Sequence, residues 1–271
     1  MSRTKINIPK RVLEKLYWEE GLSTIKIARI YSCDPMTVIN RIRELAIPRK
    51  SASQARIRFP RANFSGNVTE KAYMLGLTDG DLNTYTLPGE QTVVARCHTT
   101  QEVQVVILEE VFSRYGRVSV SRSESNGFHV NCYLNRTFLF LVTEKKQMPC
   151  WLLSSNKTFQ SYIAGYTDAE GNFILNQGRA RFKIDSYDKK ILMNIHDFLI
   201  RRGVSSILRR IAVAGSKWPG GKPINQDLWR INVNEAASLK LFIDMINPHL
   251  LHQTRKRQVE LCLANIQQRC K

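Results

Sequence analysis

The feature that most constrains this chain is an internal repeat. The segment KAYMLGLTDGDLN (71 to 83) corresponds to QSYIAGYTDAEGNF (160 to 173), with Gly76 matching Gly165 and Asp81 matching Glu170, each at an interval of 89 residues. A polar, alternating stretch follows each copy and ends in TVVARC or RARFKI. An amphipathic helix is predicted next, VQVVILEEVFSRYG or KKILMNIHDFLIRRG, stopped by Gly116 or Gly203. Two further strand-like runs come after it, RVSVS and FHVNCYL in the first copy, SILRRIAV and LWRINV in the second, and then a short apolar helix. Each copy is therefore expected to fold as αββαββα. The class is α+β, a pseudo-symmetric double domain with halves at 68–147 and 160–271 and a linker at 148–159.

An antiparallel sheet commonly covers one face with helices and leaves the other wet. The outward positions of these strands carry Arg, Asn, Ser and Thr, and such a face needs a ligand. Composition names its class: 41 Lys and Arg stand against 23 Asp and Glu, a formal charge of +18. That imbalance attracts a polyanion, and nucleic acid is the first candidate. No amphipathic basic helix or long apolar run supports a membrane partner. The cysteines, Cys33, Cys97, Cys132, Cys150, Cys262 and Cys270, show no CxxC spacing, so neither a zinc site nor a disulfide framework is signalled. With no apolar leader in MSRTKINIPK, the expected setting is a reducing, DNA-containing compartment, cytoplasm or nucleoid.

Residues 1–50 read as a unit of short helices. A first helix from Arg11 to Glu20 places Val12, Leu13, Leu16 and Tyr17 on one stripe, and Gly21 stops it. Ser23 caps a second, with Ile25, Ile27, Ala28 and Ile30 as apolar positions. Asp34 and Pro35 open a third through Met36, Val38, Ile39, Ile42 and Leu45. Thr37, Asn40, Arg41 and Arg43 fall on its polar side, and the pair resembles a helix-turn-helix with its recognition helix. The alternative is a small three-helix bundle packed on the main body. Residues 51–67 are expected to be a basic linker along a phosphate backbone, with Arg56 and Arg58 beside the preceding Lys50.

The repeated nonapeptides MLGLTDGDL and IAGYTDAEG resemble the two motifs of a single-chain LAGLIDADG homing endonuclease, and the resemblance covers about residues 65–271. Small residues at Gly76 and Gly165 let two helices approach along their axes. Asp81 and Glu170 then emerge side by side, an arrangement that makes sense mainly when divalent cations lie between them and DNA phosphate. The resemblance implies Mg2+ held by Asp81 and Glu170 with the carbonyls of Gly80 and Ala169, activating water and steadying the leaving oxygen. Mn2+ is expected to substitute, and Ca2+ to bind without supporting cleavage. On the alternative reading Asp79 and Asp168 cap or pair locally, and Asp81 and Glu170 are surface acids. One departure stands out: Leu82 occupies the place of the family's final glycine, which Gly171 keeps.

The resemblance also implies a basic residue near the end of each half. The candidates are Lys256 or Arg255 in NPHLLHQTRKRQVELC, with Lys145 and Lys146 as the poorer match in the first half. The expected DNA-facing residues are Asn83, Tyr85, Arg96, Arg117, Arg122, His129 and Asn131, then Asn172, Asn176, Arg179, Arg181, Lys183, Arg209, Arg230 and Asn232. The loop GSKWPGGK (215 to 222) is expected to reach flanking backbone. The expected partner is double-stranded DNA, bound by a monomer with no obligate protein partner, from a gene that is free-standing or intron-encoded. Two other readings stay open: a regulator that kept the fold and lost cleavage, favoured by Leu82, and an intron-RNA maturase.

Overall fold

The structure, a computed structural model, describes residues 7–50, 59–89, 91–123, 126–217 and 220–269. At the N-terminus, α1 (Lys10–Glu14) continues into a π-helical turn, Lys15–Glu19, and Gly21 leaves it at a positive φ of 70°. The Ser23 hydroxyl accepts from the Lys26 amide at 3.2 Å to start α2 (Thr24–Ile30), and Asp34 accepts from Met36 at 2.7 Å to start α3 (Pro35–Glu44). These caps are the expected ones. The unit has its own core of Ile8, Leu13, Tyr17, Ile27, Ala28, Val38, Ile42 and Ile47. Four expected core positions, Val12, Ile25, Ile30 and Met36, are instead exposed, because helices this short bury one narrow stripe each.

In the expected linker, residues 51–58, with Arg56 and Arg58, lie outside the described residues. The rest is built into the first half. Arg61 Nη1 donates to the Thr92 hydroxyl at 2.6 Å and to the carbonyls of Gln91 and Leu134, while the Phe64 ring packs on Tyr115, Phe138 and Phe140.

The first half runs α4 (Val68–Asp81), β1 (Asn83–Thr86), β2 (Val93–Thr99), α5 (Glu102–Phe112), β3 (Arg117–Arg122), β4 (Phe128–Leu134) and α6 (Phe140–Thr143). The second runs α7 (Asn156–Glu170), β5 (Gly171–Asn176), β6 (Arg179–Ser186), α8 (Lys189–Arg201), β7 (Ile207–Ala212), β8 (Leu228–Val233) and α9 (Ala236–Ile246), followed by α10 (Gln253–Arg269). The expected αββαββα order holds in both. The inter-half segment is shorter than expected: it carries a 3-10 turn, Cys150–Leu153, and Ser155 already caps α7.

Each half contributes one four-stranded antiparallel sheet, ordered β1-β2-β4-β3 and β5-β6-β8-β7. One set of alternate residues, such as Val93, Ala95, Cys97, Val130 and Cys132, or Phe182, Ile184, Ile231 and Val233, enters a core shared with the helices. Between the sheets lie α4 and α7, buried continuously over residues 72–79 and 161–168. Gly203 closes α8 in the left-handed region, at φ 77°, as a C-cap glycine should. Gly116 is small for a different reason: a Cβ there would stand 2.1 Å from the Tyr133 carbonyl oxygen, inside van der Waals contact.

Candidate active site

The two central helices touch through their glycines. A Cβ on Gly76 would lie 2.1 Å from the carbonyl oxygen of Tyr162, and one on Gly165 would lie 2.2 Å from that of Tyr73. Near the C-terminal ends, a Cβ on Gly80 would meet the Ala169 Cβ at 2.4 Å and the Glu170 Cγ at 3.3 Å. The ends of α4 and α7 are thereby fixed side by side, with Asp81 and Glu170 as their last residues. Leu82 and Gly171 cap them in the same extended conformation, φ −99° ψ 135° and φ −74° ψ 154°. The backbone leaving the first acid therefore follows the same course as that leaving the second, and the Leu82 side chain goes into the core.

Two reciprocal bonds clamp this pair. Tyr73 donates to Asp168 Oδ2 at 2.7 Å, and Tyr162 donates to Asp79 Oδ2 at 2.7 Å. Both carboxyls are buried and also collect backbone donors, Asp79 from Lys146 at 2.8 Å and Asp168 from Leu251 at 2.7 Å and His252 at 3.2 Å. Asp79 and Asp168 thus pair across the helices and tie down the chain that follows each sheet, rather than pairing locally. Burial pushes Asp79 up to about 6 against the pull of these bonds.

The outer acids are not isolated surface groups. Burial, then the charges of Asp81, Asp185 and Asp188, push Glu170 up to about 7, and the charge of Arg255 opposes them. Asp81 lies at the solvent edge but in a crowded setting that raises it too, again opposed by Arg255. Arg255 is the basic side chain whose charge acts on Asp81, Glu170 and Asp168 together. Its Nη1 reaches Gln258 at 3.3 Å, and its buried Nε has no partner among the described residues. The neighbouring Lys256 gives its backbone N–H to the His252 carbonyl at 3.0 Å. In the first half, Lys145 Nζ donates to the Leu82 carbonyl at 2.5 Å, and Lys146 pairs with Asp188 at 2.8 Å.

Strand register lays out the open faces. In the first sheet one row crosses Asn83, Arg96, Asn131 and Ser119, and the next crosses Tyr85, Val94, Tyr133 and Arg117. A third row pairs His98, His129 and Ser121. In the second sheet the rows are Asn172, Lys183 and Asn232, then Ile174 and Arg181, then Asn176 and Arg179, with Asp185, Arg230 and Arg209 at the other end. Arg122 falls out of these rows: it faces Phe128, in the phase of the core residues, at the exposed end of its strand.

Several expected contact residues already have partners. Arg96 Nε donates to Asn131 at 2.8 Å, and Arg230 forks onto Asp185 at 2.5 and 2.6 Å. On α3, Arg41 pairs with Glu44 at 3.0 Å and bonds Asn7 and the Ile8 carbonyl, whereas Asn40 and Arg43 are exposed and Thr37 half-buried. Lys50 lies over the Tyr17 ring at 4.5 Å. In the 215–222 loop, Gly215–Lys217 and Gly220–Lys222 are described, closed by a bridge from Lys217 to Pro223. Sequence reasoning missed Asp185, Asp188 and His98. Asp185 and His98 share the period-two phase of the outward rows, which is the signal that could have found them, but neither is a basic or amide side chain of the kind expected on a DNA face.

Asp81, Glu170 and the adjacent backbone offer oxygen donors, which suit a hard cation, while the imidazoles of His98 and His129 line the same pocket as Asp81 and Ala169. Among the described residues no three His, Cys, Asp or Glu side chains gather closely enough to hold a metal unaided. A cation here would need oxygens beyond these side chains to complete its shell.

No family model and no curated protein matches the chain. Solved structures do. I-DmoI in complex with DNA and Ca aligns at TM-score 0.51 and 15% identity, over 72% of this chain and 100% of that one. The homing endonuclease I-WcaI bound to its DNA recognition sequence aligns at 0.49 and 10%, over 71% and 86%. The LAGLIDADG meganuclease I-AabMI bound to uncleaved DNA aligns at 0.48 and 9%, over 76% and 92%. At these identities the first likeness establishes a shared fold, and the other two add no separate argument.

Proposed function

We propose that this chain is a metal-dependent, site-specific DNA endonuclease of the LAGLIDADG homing type, cutting both strands of a long, non-palindromic site. The observation that carries the reading is the acid pair: Asp81 and Glu170 end two helices pressed together at glycines, where burial and then the charge of Asp81 push Glu170 toward its neutral form. Such an arrangement is costly in the isolated protein and is relieved by a divalent cation. Mg2+ is the expected ion, held by the two carboxylates with the carbonyls of Gly80 and Ala169. Mn2+ replaces it, and Ca2+ binds without supporting cleavage. When bound, the ion supplies Lewis acidity that makes water a nucleophile and steadies the leaving oxygen.

The chain's own groups do the rest. Asp81 and Glu170 fix the position of the charge, one from each half, so a single chain completes the pair and a monomer suffices. The Tyr73–Asp168 and Tyr162–Asp79 bonds hold the carboxylate-bearing helix ends rigid. Arg255, whose charge acts on Asp81, Glu170 and Asp168, offers a positive group beside the acids, toward phosphate or water. The sheet rows from Asn83 to Asn131 and from Asn172 to Asn232 lie along the duplex, with Arg181, Lys183 and Arg209 free to reach base edges or phosphates. The second and third helices act as a helix-turn-helix, presenting Thr37, Asn40 and Arg43 to DNA beyond the core site. The solved complex of I-DmoI with DNA and Ca supports this reading at the level of fold.

The rival reading, a regulator without cleavage, rests on Leu82. The common extended caps at Leu82 and Gly171 favour the cleaving enzyme. The test is incubation of the purified protein with a randomised duplex library and Mg2+, followed by sequencing of new ends. Ends clustered at one asymmetric site, and absent in chelator, are the expected result. Tight selection of one site without cutting in Mg2+ or Mn2+ would install the regulator instead.

A further inference from the structure

We propose that His98 and His129 form a two-imidazole site for a borderline transition-metal ion of the zinc type, adjoining the acid pair. The residues stand directly opposite each other on β2 and β4, with His129 Nδ1 3.3 Å from His98 Nε2 and ring planes at 83°. Two nitrogens bound to one tetrahedral zinc, each at about 2.0–2.1 Å, lie about 3.3–3.4 Å apart. The nitrogens are thus spaced as for one tetrahedral ion, and the rings, whose centroids stand 4.1 Å apart edge to face, have to turn about their side-chain torsions to aim both lone pairs at it.

The pseudo-symmetry gives a second, independent argument. The same cross-strand position in the other sheet, two residues beyond Lys183 and Asn232, holds Asp185 and Arg230 in a bidentate ion pair. Such a pair satisfies itself. Two imidazoles satisfy each other with one hydrogen bond at most and leave a lone pair seeking a proton or a metal. The fold therefore does not demand histidines here.

Access and selectivity agree. His98 is exposed and His129 half-buried, and both line a pocket with Asp81, Thr99, Gln101 and Ala169. The pair supplies two protein ligands and no more, since no larger His, Cys, Asp or Glu group exists among the described residues. The remaining coordination positions open onto the pocket, for water or an anionic oxygen. Imidazole nitrogen selects zinc, nickel or copper, whereas carboxylate and carbonyl oxygen select magnesium or calcium, so the two sites take different ions. A divalent charge in the pocket wall would couple electrostatically to Asp81.

The test needs neither DNA nor cleavage, so it fails or succeeds apart from the nuclease reading. The full chain carrying 15N-histidine is titrated with zinc chloride, in a non-coordinating buffer containing excess Mg2+. One equivalent is expected to shift the ring nitrogens of His98 and His129 together, and to leave His196, His249 and His252 unmoved. H98Q and H129Q should each weaken zinc binding about tenfold or more by calorimetry, with amide spectra reporting that the sheet is intact. Movement of the other histidines first, capture of zinc by cysteine thiols with His98 and His129 unmoved, or unchanged affinity in both variants would overturn the site.

Discussion

At the scale of single residues, Glu170 is where charge, packing and chemistry meet. In the folded chain it holds its proton up to about 7, against an ordinary 4.5, because burial and the neighbouring acids penalise its anion. Between those values the folded state binds more protons than the unfolded one, so this group's contribution to stability falls as pH rises through the window, and its full cost is present above pH 7. E170Q never incurs that cost. In metal-free buffer it should match the wild type near pH 4 and exceed it by about 1–3 kcal/mol at pH 8, measured by denaturant unfolding. Millimolar Mg2+ should stabilise the wild type at pH 8 and leave E170Q nearly unmoved. Equal stabilities across the pH range would mean that Glu170 ionises freely and shares no site with Asp81.

At the scale of elements, the contact between α4 and α7 is set by glycine. G165A places a methyl carbon where the Tyr73 carbonyl oxygen stands 2.2 Å away, and neither backbone can yield without separating the helices. The expected cost is about 3 kcal/mol or more, whereas G178A, at a turn glycine with open space around it, should cost about 1 kcal/mol from backbone strain alone. Thermal or urea unfolding of the two variants decides the matter, and equal costs would contradict the close packing. This helix pairing is legible in the sequence, because repeated small residues in an apolar helix have few other uses. So are the strands, their period and the caps at Ser23 and Asp34. What stays hidden is what depends on a distant partner. Arg230 looks like any outward arginine until Asp185 is found across the strand pair, and Arg41 looks free until the chain before α1 folds back onto it. Arg122 is expected outward for its charge, yet in RVSVSR it shares the parity of Val118 and Val120, and a charged side chain is accommodated there because the strand end is exposed. The clamping roles of Asp79 and Asp168 need the other helix to be in view.

At the scale of the whole molecule, the chain comprises a small helical unit with its own core and a pseudo-symmetric body whose halves share another. Arg61 and Phe64 belong to that body, so a chain lacking residues 1–58 should fold and still bind the core site, more weakly and with a salt slope smaller by about one for each phosphate that the helical unit neutralises. Unchanged affinity and slope would deny the helical unit any role on DNA. The central claim is that each half contributes one carboxylate to a single catalytic centre. It is tested most directly by measuring cleavage and affinity together on the selected duplex for wild type, D81N and E170Q. Each variant should lose double-strand cleavage in Mg2+, on the order of a thousandfold or more, while binding the same duplex in Ca2+ or chelator as well as the wild type or better, since one anion has left the phosphate's side. Both variants cutting at the wild-type rate would show that these acids are not the catalytic pair.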